Sequence, residues 1–336
     1  MLDRRPALAA LFIALALSGC GGGSDVPAPA RSTPDLTQRT AAATATAQGT
    51  TNACAPIRPY YWEIGDGQQR LASGSVNAPG NATTYTAGTY MPIASASKWL
   101  YGAYVAERRG GVLTADDIQF LTFRSGYTSL DTVGDCRADD TVGDCVARGD
   151  NDVQTPAHMG RYYYNGAHMQ KHASLPTPGM GLGALDGTAL AAEMRRLLGT
   201  DIHFTYGQPQ LAGAARSTAD DYARFLRKLL NGELRLGALL GAHKVCTNPA
   251  TCADAISTPM TNGADWNYSL GHWVEDDAAT GDGAFSSAGG LGFYPWIDAG
   301  KRWYGIVARN GVLGGGDESA ACGALIRRAW LTGVAL

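Results

Sequence analysis

The sequence predicts an α+β fold: an antiparallel sheet formed by both chain ends and flanked by helices, with a mostly helical lobe inserted at about residues 113–255. Three observations lead there. Short β-type runs stand at the front, Tyr60 to Ile64 and Gln69 to Val76, divided by the hairpin signal Gly65-Asp66-Gly67. Two more, Gly292 to Ile297 and Arg302 to Arg309, come near the end, before an amphipathic closing helix at Glu318 to Leu331. Between them the pattern is helical or loop-like, with helices at Thr188 to Leu198 and Thr218 to Leu230. Strands at both ends of a helical middle make one sheet whose halves are far apart in sequence. Such an arrangement leaves a cleft between the lobes, where ligand sites tend to lie.

The elements follow in chain order. Residues 1–20 carry Arg4 and Arg5, an apolar run from Ala7 to Leu17 too short to span a bilayer, and then small residues, the pattern of a secretory signal peptide. Leu17-Ser18-Gly19-Cys20 resembles a bacterial lipobox, so Cys20 is expected to be lipidated. Two acyl chains suffice for a stable membrane anchor. The expected location is the periplasm or cell envelope, on the outer membrane. Residues 21–53, rich in Gly, Pro, Ala and Thr with few large apolar side chains, read as a flexible tether. Residues 54–336 are then the catalytic-size domain, two-lobed or carrying an insertion.

Hydrophobic residues make up 45% of the chain and charged residues 17%, which suits a globular enzyme, and the net charge of -3 gives no footing for nucleic acid. Beyond Cys20 six cysteines remain, an even number in a chain expected to leave the reducing cytoplasm. Fifteen pairings are open in principle. Cys136 with Cys145 and Cys246 with Cys252 each close a short polar loop, leaving Cys54 with Cys322 to tie the start of the domain to its last helix. No two cysteines have zinc-knuckle spacing, and no metal or cofactor is expected. The hexapeptide Asp-Thr-Val-Gly-Asp-Cys occurs at 131–136 and again at 140–145; it lacks the ligand spacing of a calcium loop and reads as a disulfide-pinned surface loop.

Chemistry concentrates in three segments. In Pro92-Ile93-Ala94-Ser95-Ala96-Ser97-Lys98 a serine stands three residues before a lysine at a predicted helix start, one of only five lysines in the chain. That spacing puts both side chains on one helix face, where the amine can reach the hydroxyl. Serine needs a base, and lysine serves as one when burial lowers its pKa. The second segment, Arg161-Tyr162-Tyr163-Tyr164-Asn165-Gly166-Ala167-His168, offers a phenol as proton shuttle and an amide as substrate contact, or else plain aromatic packing with Asn165 as a helix cap. The third, Phe285-Ser286-Ser287-Ala288-Gly289-Gly290, enters a late strand. There small residues admit a substrate backbone and a glycine N–H can complete an oxyanion hole, or the stretch is a glycine-rich turn.

A Ser-x-x-Lys, a Tyr-x-Asn and a Gly-containing triplet in this order resemble the serine β-lactamase and penicillin-binding-protein superfamily, in particular its class C-like branch, which includes esterases and D-amino-acid peptidases. The resemblance covers roughly residues 58 to 332. It implies a β-lactamase/transpeptidase-like fold and an acyl-enzyme on Ser95, with Lys98 as base and Tyr163 as shuttle, Tyr162 and Tyr164 being the alternatives. It further implies substrate contacts from Asn165, Ser287, Gly289 and Gly290, and an oxyanion hole from the N–H groups of Ser95 and Gly290. One departure stands out: the family's third motif begins with Lys or His, and here the triplet is Ser287-Ala288-Gly289, with no cation to hold a substrate carboxylate.

The expected activity is therefore hydrolysis of a small or peptide-like ester or amide through a Ser95 acyl-enzyme. The alternatives are a β-lactamase or D,D-carboxypeptidase, and a non-catalytic envelope lipoprotein that keeps the fold for binding. No Gly-x-Ser-x-Gly elbow supports a Ser-His-Asp hydrolase. Gly179-x-Gly181-x-Gly183 lacks the preceding strand of a dinucleotide site, and the histidines, among them His168 and His272, read as structural contacts.

Overall fold

The computed structural model describes residues 33–130, 136–176, 179–260 and 263–336. The signal segment with Cys20, the tether as far as residue 32 and most of the first hexapeptide copy lie outside the described residues.

Seven strands form the central antiparallel sheet, in the order Asn267–Tyr268, Trp273–Glu275, Ala284–Ser286, Tyr294–Ile297, Tyr304–Ala308, Tyr60–Gly65 and Arg70–Val76. The two chain ends meet in the ladder from Tyr61 opposite Ala308 to Gly65 opposite Tyr304. Helices cover both faces. Tyr294 and Val307 meet the closing helix Gly315–Thr332, while Tyr304 on the opposite pleat takes Arg227 of helix Ala219–Leu230 at 3.0 Å. Every residue of Tyr60–Gly65 is consequently buried. Under the closing helix the buried Arg327 is matched by Glu275 at 2.6 Å and Asp282 at 2.8 Å, with the Tyr294 hydroxyl at 2.8 Å.

The inserted lobe carries the expected helices, Gly187–Leu198 and Ala219–Leu230 among them, and also short paired strands that short apolar runs left indistinct: Ser125–Tyr127 with Gln154–Met159, Phe204–Tyr206 with Ala215–Ser217, and Tyr162–Tyr163 with Ala255–Ser257. Cys54–Cys322, Cys136–Cys145 and Cys246–Cys252 are disulfides, with Cα atoms 4.6, 4.7 and 6.2 Å apart. In the second hexapeptide copy Thr141 and Asp144 form a capping box at the start of helix Val142–Val146, and Asp140 pairs with Arg148.

The tether expected over 21–53 is corrected in its second half. Leu36–Ala47 is a helix, opened by an Asp35/Gln38 capping box. It packs on the closing helix with Ala43, Thr46 and Ala47 fully buried, and Arg39 donates to the Trp330 carbonyl at 2.7 Å. Small side chains let two helices approach closely, so a segment without large apolar residues still buries a face. The compact unit accordingly spans residues 34–336, and its start moves from 54 to 34.

Candidate active site

Ser95 lies in a 3-10 turn, Ala94–Ala96, that leads into helix Ser97–Arg108. Ala94 has φ 44°, a left-handed conformation that costs a non-glycine residue energy and persists only where surroundings hold it. Four hydrogen bonds do so. The Ile93 amide donates to Ala215 O at 3.0 Å, Ser97 Oγ to Ala94 O at 2.6 Å, Tyr222 Oη to Ala96 O at 2.8 Å and Ser287 Oγ to Ser95 O at 3.0 Å. The serine is thus fixed by the lobe on one side and the sheet on the other.

Lys98, only 4% exposed, donates to Ser95 Oγ at 2.9 Å and to Ala212 O at 2.7 Å. Its Nζ lies 4.8 Å from the centroid of the Tyr164 ring. Burial lowers the lysine pKa from 10.5 to about 7. Near neutral pH a substantial fraction of the amine is uncharged, with a lone pair free to take the serine proton.

Of the three tyrosines, it is Tyr164, one of the two alternatives to Tyr163, that the structure brings to Ser95 and Lys98. In an extended segment successive side chains alternate. Tyr162 and Tyr164 share one side, both packing on Tyr268 and Trp273, whereas the Tyr163 ring turns the other way and stacks on His158 at 5.0 Å. Tyr164 lines the cleft beside Ser95, and burial pushes its phenol pKa up to about 12. His168 secures the segment, with Nδ1 2.7 Å from Ser125 Oγ and Nε2 2.9 Å from Tyr163 O; burial holds its pKa down to about 3, so it stays neutral.

Other expected contacts divide. Asn165 borders the cleft, but its Oδ1 accepts from the amides of Leu130 and Ala167 and its Nδ2 donates to Leu130 O, so it works as a brace and cap at the start of helix Ala167–Ser174. Ser287, expected as a substrate contact, donates its hydroxyl to Ser95 O. Gly289 packs closely on the turn that holds Ser95. Its amide donates to Phe293 O at 2.8 Å, and a Cβ there would lie 2.3 Å from Ile93 O, so glycine is what lets this segment run against the turn that carries Ser95. Gly290 does line the cleft.

Two cavities adjoin at Ser95, Tyr164, Gly290 and Leu313. The larger, about 380 Å³, is walled mostly by Ala94, Ala212, Leu291 and Leu313, with Gln210 as a polar group that the sequence did not signal. The smaller, about 200 Å³, is bounded by Pro259, Met260, Trp273, Ala288 and Asp317. Trp273 and Asp317 were also missed: one opens a strand and the other lies in the first turn of a helix, and neither lies in a catalytic pattern.

No family model and no curated protein matches the chain. Solved structures do. A penicillin-binding protein from Bacillus halodurans is similar over 79% of this chain and 95% of its own, with 14% identity and a TM-score of 0.54. EstCE1, a hydrolase with promiscuous acyltransferase activity, matches over 88% and 98% with 14% identity and a TM-score of 0.54. The chain has the β-lactamase and penicillin-binding-protein fold. A D-stereospecific amidohydrolase from a Streptomyces species shares that fold over 90% of this chain and 100% of its own, with 15% identity and a TM-score of 0.51. Within this fold the Ser95–Lys98–Tyr164 cluster stands where the lobe meets the sheet, while the helix Leu36–Ala47 packs on the closing helix.

Proposed function

We propose that the protein is a serine hydrolase that cleaves a small ester or amide through an acyl-enzyme on Ser95. The observation that carries this reading is the 2.9 Å Lys98–Ser95 hydrogen bond, made by a lysine whose burial brings its pKa to about 7. Ser95 Oγ attacks the substrate carbonyl as its proton passes to Lys98 Nζ. The amides of Ser95 and Gly290 receive the oxyanion. Tyr164, beside Ser95 and Lys98 in the cleft, returns the proton to the leaving group, and water then attacks the acyl carbonyl to regenerate the serine. The mostly aliphatic walls of the larger cavity suit an apolar acyl group.

The cleft counts against a β-lactam or D-Ala peptide held by its carboxylate, because its described lining contains no arginine or histidine and Lys98 as the one lysine. The intact Ser95–Lys98 contact counts against a purely binding role. Hydrolysis of p-nitrophenyl butyrate, lost in Ser95→Ala, is the test; equal rates in the two proteins would reject the assignment.

We also propose that residues 1–20 direct export and that Cys20 carries the lipid, holding the enzyme at the outer membrane on its periplasmic side. Arg4, Arg5, the apolar run and Leu17-Ser18-Gly19-Cys20 support this. Labelled palmitate should enter the protein in a bacterial host and be absent from Cys20→Ser.

A further inference from the structure

We infer that the smaller cavity is a subsite for a cationic group of the substrate, an alkylammonium, recognised by Asp317. The inference rests on the reading of Ser95 as nucleophile and names the substrate class that this site would select.

The cavity of about 200 Å³ opens directly on Ser95 and Tyr164, so a group seated in it belongs to a molecule whose carbonyl can reach the nucleophile. Among its described lining residues Asp317 is the one charged side chain. The Ser287-Ala288-Gly289 triplet contributes only Ala288 to the wall, which leaves the cavity without the cation that would welcome a carboxylate. Trp273 and Met260 line the same cavity. An aromatic ring and a polarisable thioether accommodate an alkylammonium with little cost in lost hydration, and the carboxylate in the lining supplies the charge. The field of Asp317 extends to the reacting atoms: its charge is one of the causes that raise the Tyr164 phenol.

The simpler role for Asp317 is to complement the dipole at the start of helix Gly315–Thr332, as acids in a first turn do. Its neighbour Glu318 already occupies that turn, exposed and paired with Arg309 at 2.7 Å. A dipole role alone leaves the cavity indifferent to ligand charge, so the two roles separate by experiment.

The experiment is calorimetric binding to Ser95→Ala, which cannot turn the ligand over, with butyrylcholine and its uncharged isostere 3,3-dimethylbutyl butyrate. Butyrylcholine should bind at least tenfold tighter, by a margin that shrinks with added salt. The preference should vanish when Asp317→Asn is added, and Asp317→Lys should instead favour the anion 3-butyryloxypropanoate over the neutral ester. Equal affinities, no binding of either ester at millimolar concentration, or a cation preference that survives Asp317→Asn would overturn the inference. Hydrolysis of p-nitrophenyl butyrate by the unsubstituted protein reads the parent proposal separately, so failure of the charge preference and failure of the nucleophile assignment are told apart.

Discussion

Lys98 is asked to be uncharged for catalysis while buried among apolar walls, and this fixes both a rate profile and a stability profile. The fall of its pKa from 10.5 to about 7 makes the buried ammonium about 5 kcal/mol harder to form than in water. For the reaction the neutral amine is the competent form. Its fraction is about one half at pH 7, about one hundredth at pH 5 and about nine tenths at pH 8, so kcat/KM for p-nitrophenyl butyrate should rise roughly ninety-fold from pH 5 to pH 8. For folding the sign is that of any group whose native pKa is lowered: stability rises with pH between the native and the unfolded value. Below pH 7 native and unfolded chains both hold the proton, and the native state bears the full burial penalty. Between about 7 and 10.5 only the unfolded chain holds it, so stability increases with pH through that window. Lys98→Met, which fills similar space without charge, should therefore abolish activity and raise stability against urea at pH 6 by a few kcal/mol, with most of that gain gone at pH 10. Paired urea titrations and pH–rate curves, each with Ser95→Ala as background, decide it. A flat rate profile between pH 5 and 8, or a Lys98→Met variant equally destabilised at both pH values, would refute the reasoning.

Three further experiments probe the site and its frame. Tyr164→Phe should lower kcat on p-nitrophenyl butyrate by about 10²-fold or more, the usual scale for a lost proton-transfer group, while Tyr163→Phe stays within a factor of about three; the opposite ranking would restore Tyr163. Gly289→Ala, whose new methyl would sit 2.3 Å from Ile93 O, should cost at least about 1–3 kcal/mol in urea unfolding and disturb the nucleophile turn with it. Cys54→Ser with Cys322→Ser opens the longest loop, with 268 residues of separation, and should lower unfolding free energy by about 2–5 kcal/mol; an unchanged urea midpoint would show that packing of helix Leu36–Ala47 alone fixes this end of the chain.

Much of this architecture was legible because its signals are local. The Ser95–Lys98 spacing survives as a contact since three residues bring two side chains to one face whatever lies beyond. The flanking strands and the three disulfide pairs follow from alternation and from short polar loops. Helix Leu36–Ala47 escaped because its stabilising face consists of alanine and threonine, which look like linker composition until the closing helix lies against them; the Asp35/Gln38 capping box was the available clue. Which tyrosine lies at Ser95 was hidden for a different reason. Three adjacent tyrosines in an extended segment alternate faces, and which parity faces Lys98 depends on the short pairing of Tyr162–Tyr163 with Ala255–Ser257, over ninety residues away. Trp273 and Asp317 reach the cavity only through folding of distant segments, and single positions on a strand and a helix announce nothing about a shared pocket.

The central claim is that Ser95 is an activated nucleophile, and covalent capture tests it most directly. After treatment at pH 7.5 with a fluorophosphonate probe, intact-mass measurement should show one adduct per chain, peptide mapping should place it on Ser95, and Ser95→Ala should remain unlabelled. An adduct on another residue, or labelling undiminished in Ser95→Ala, would contradict the account.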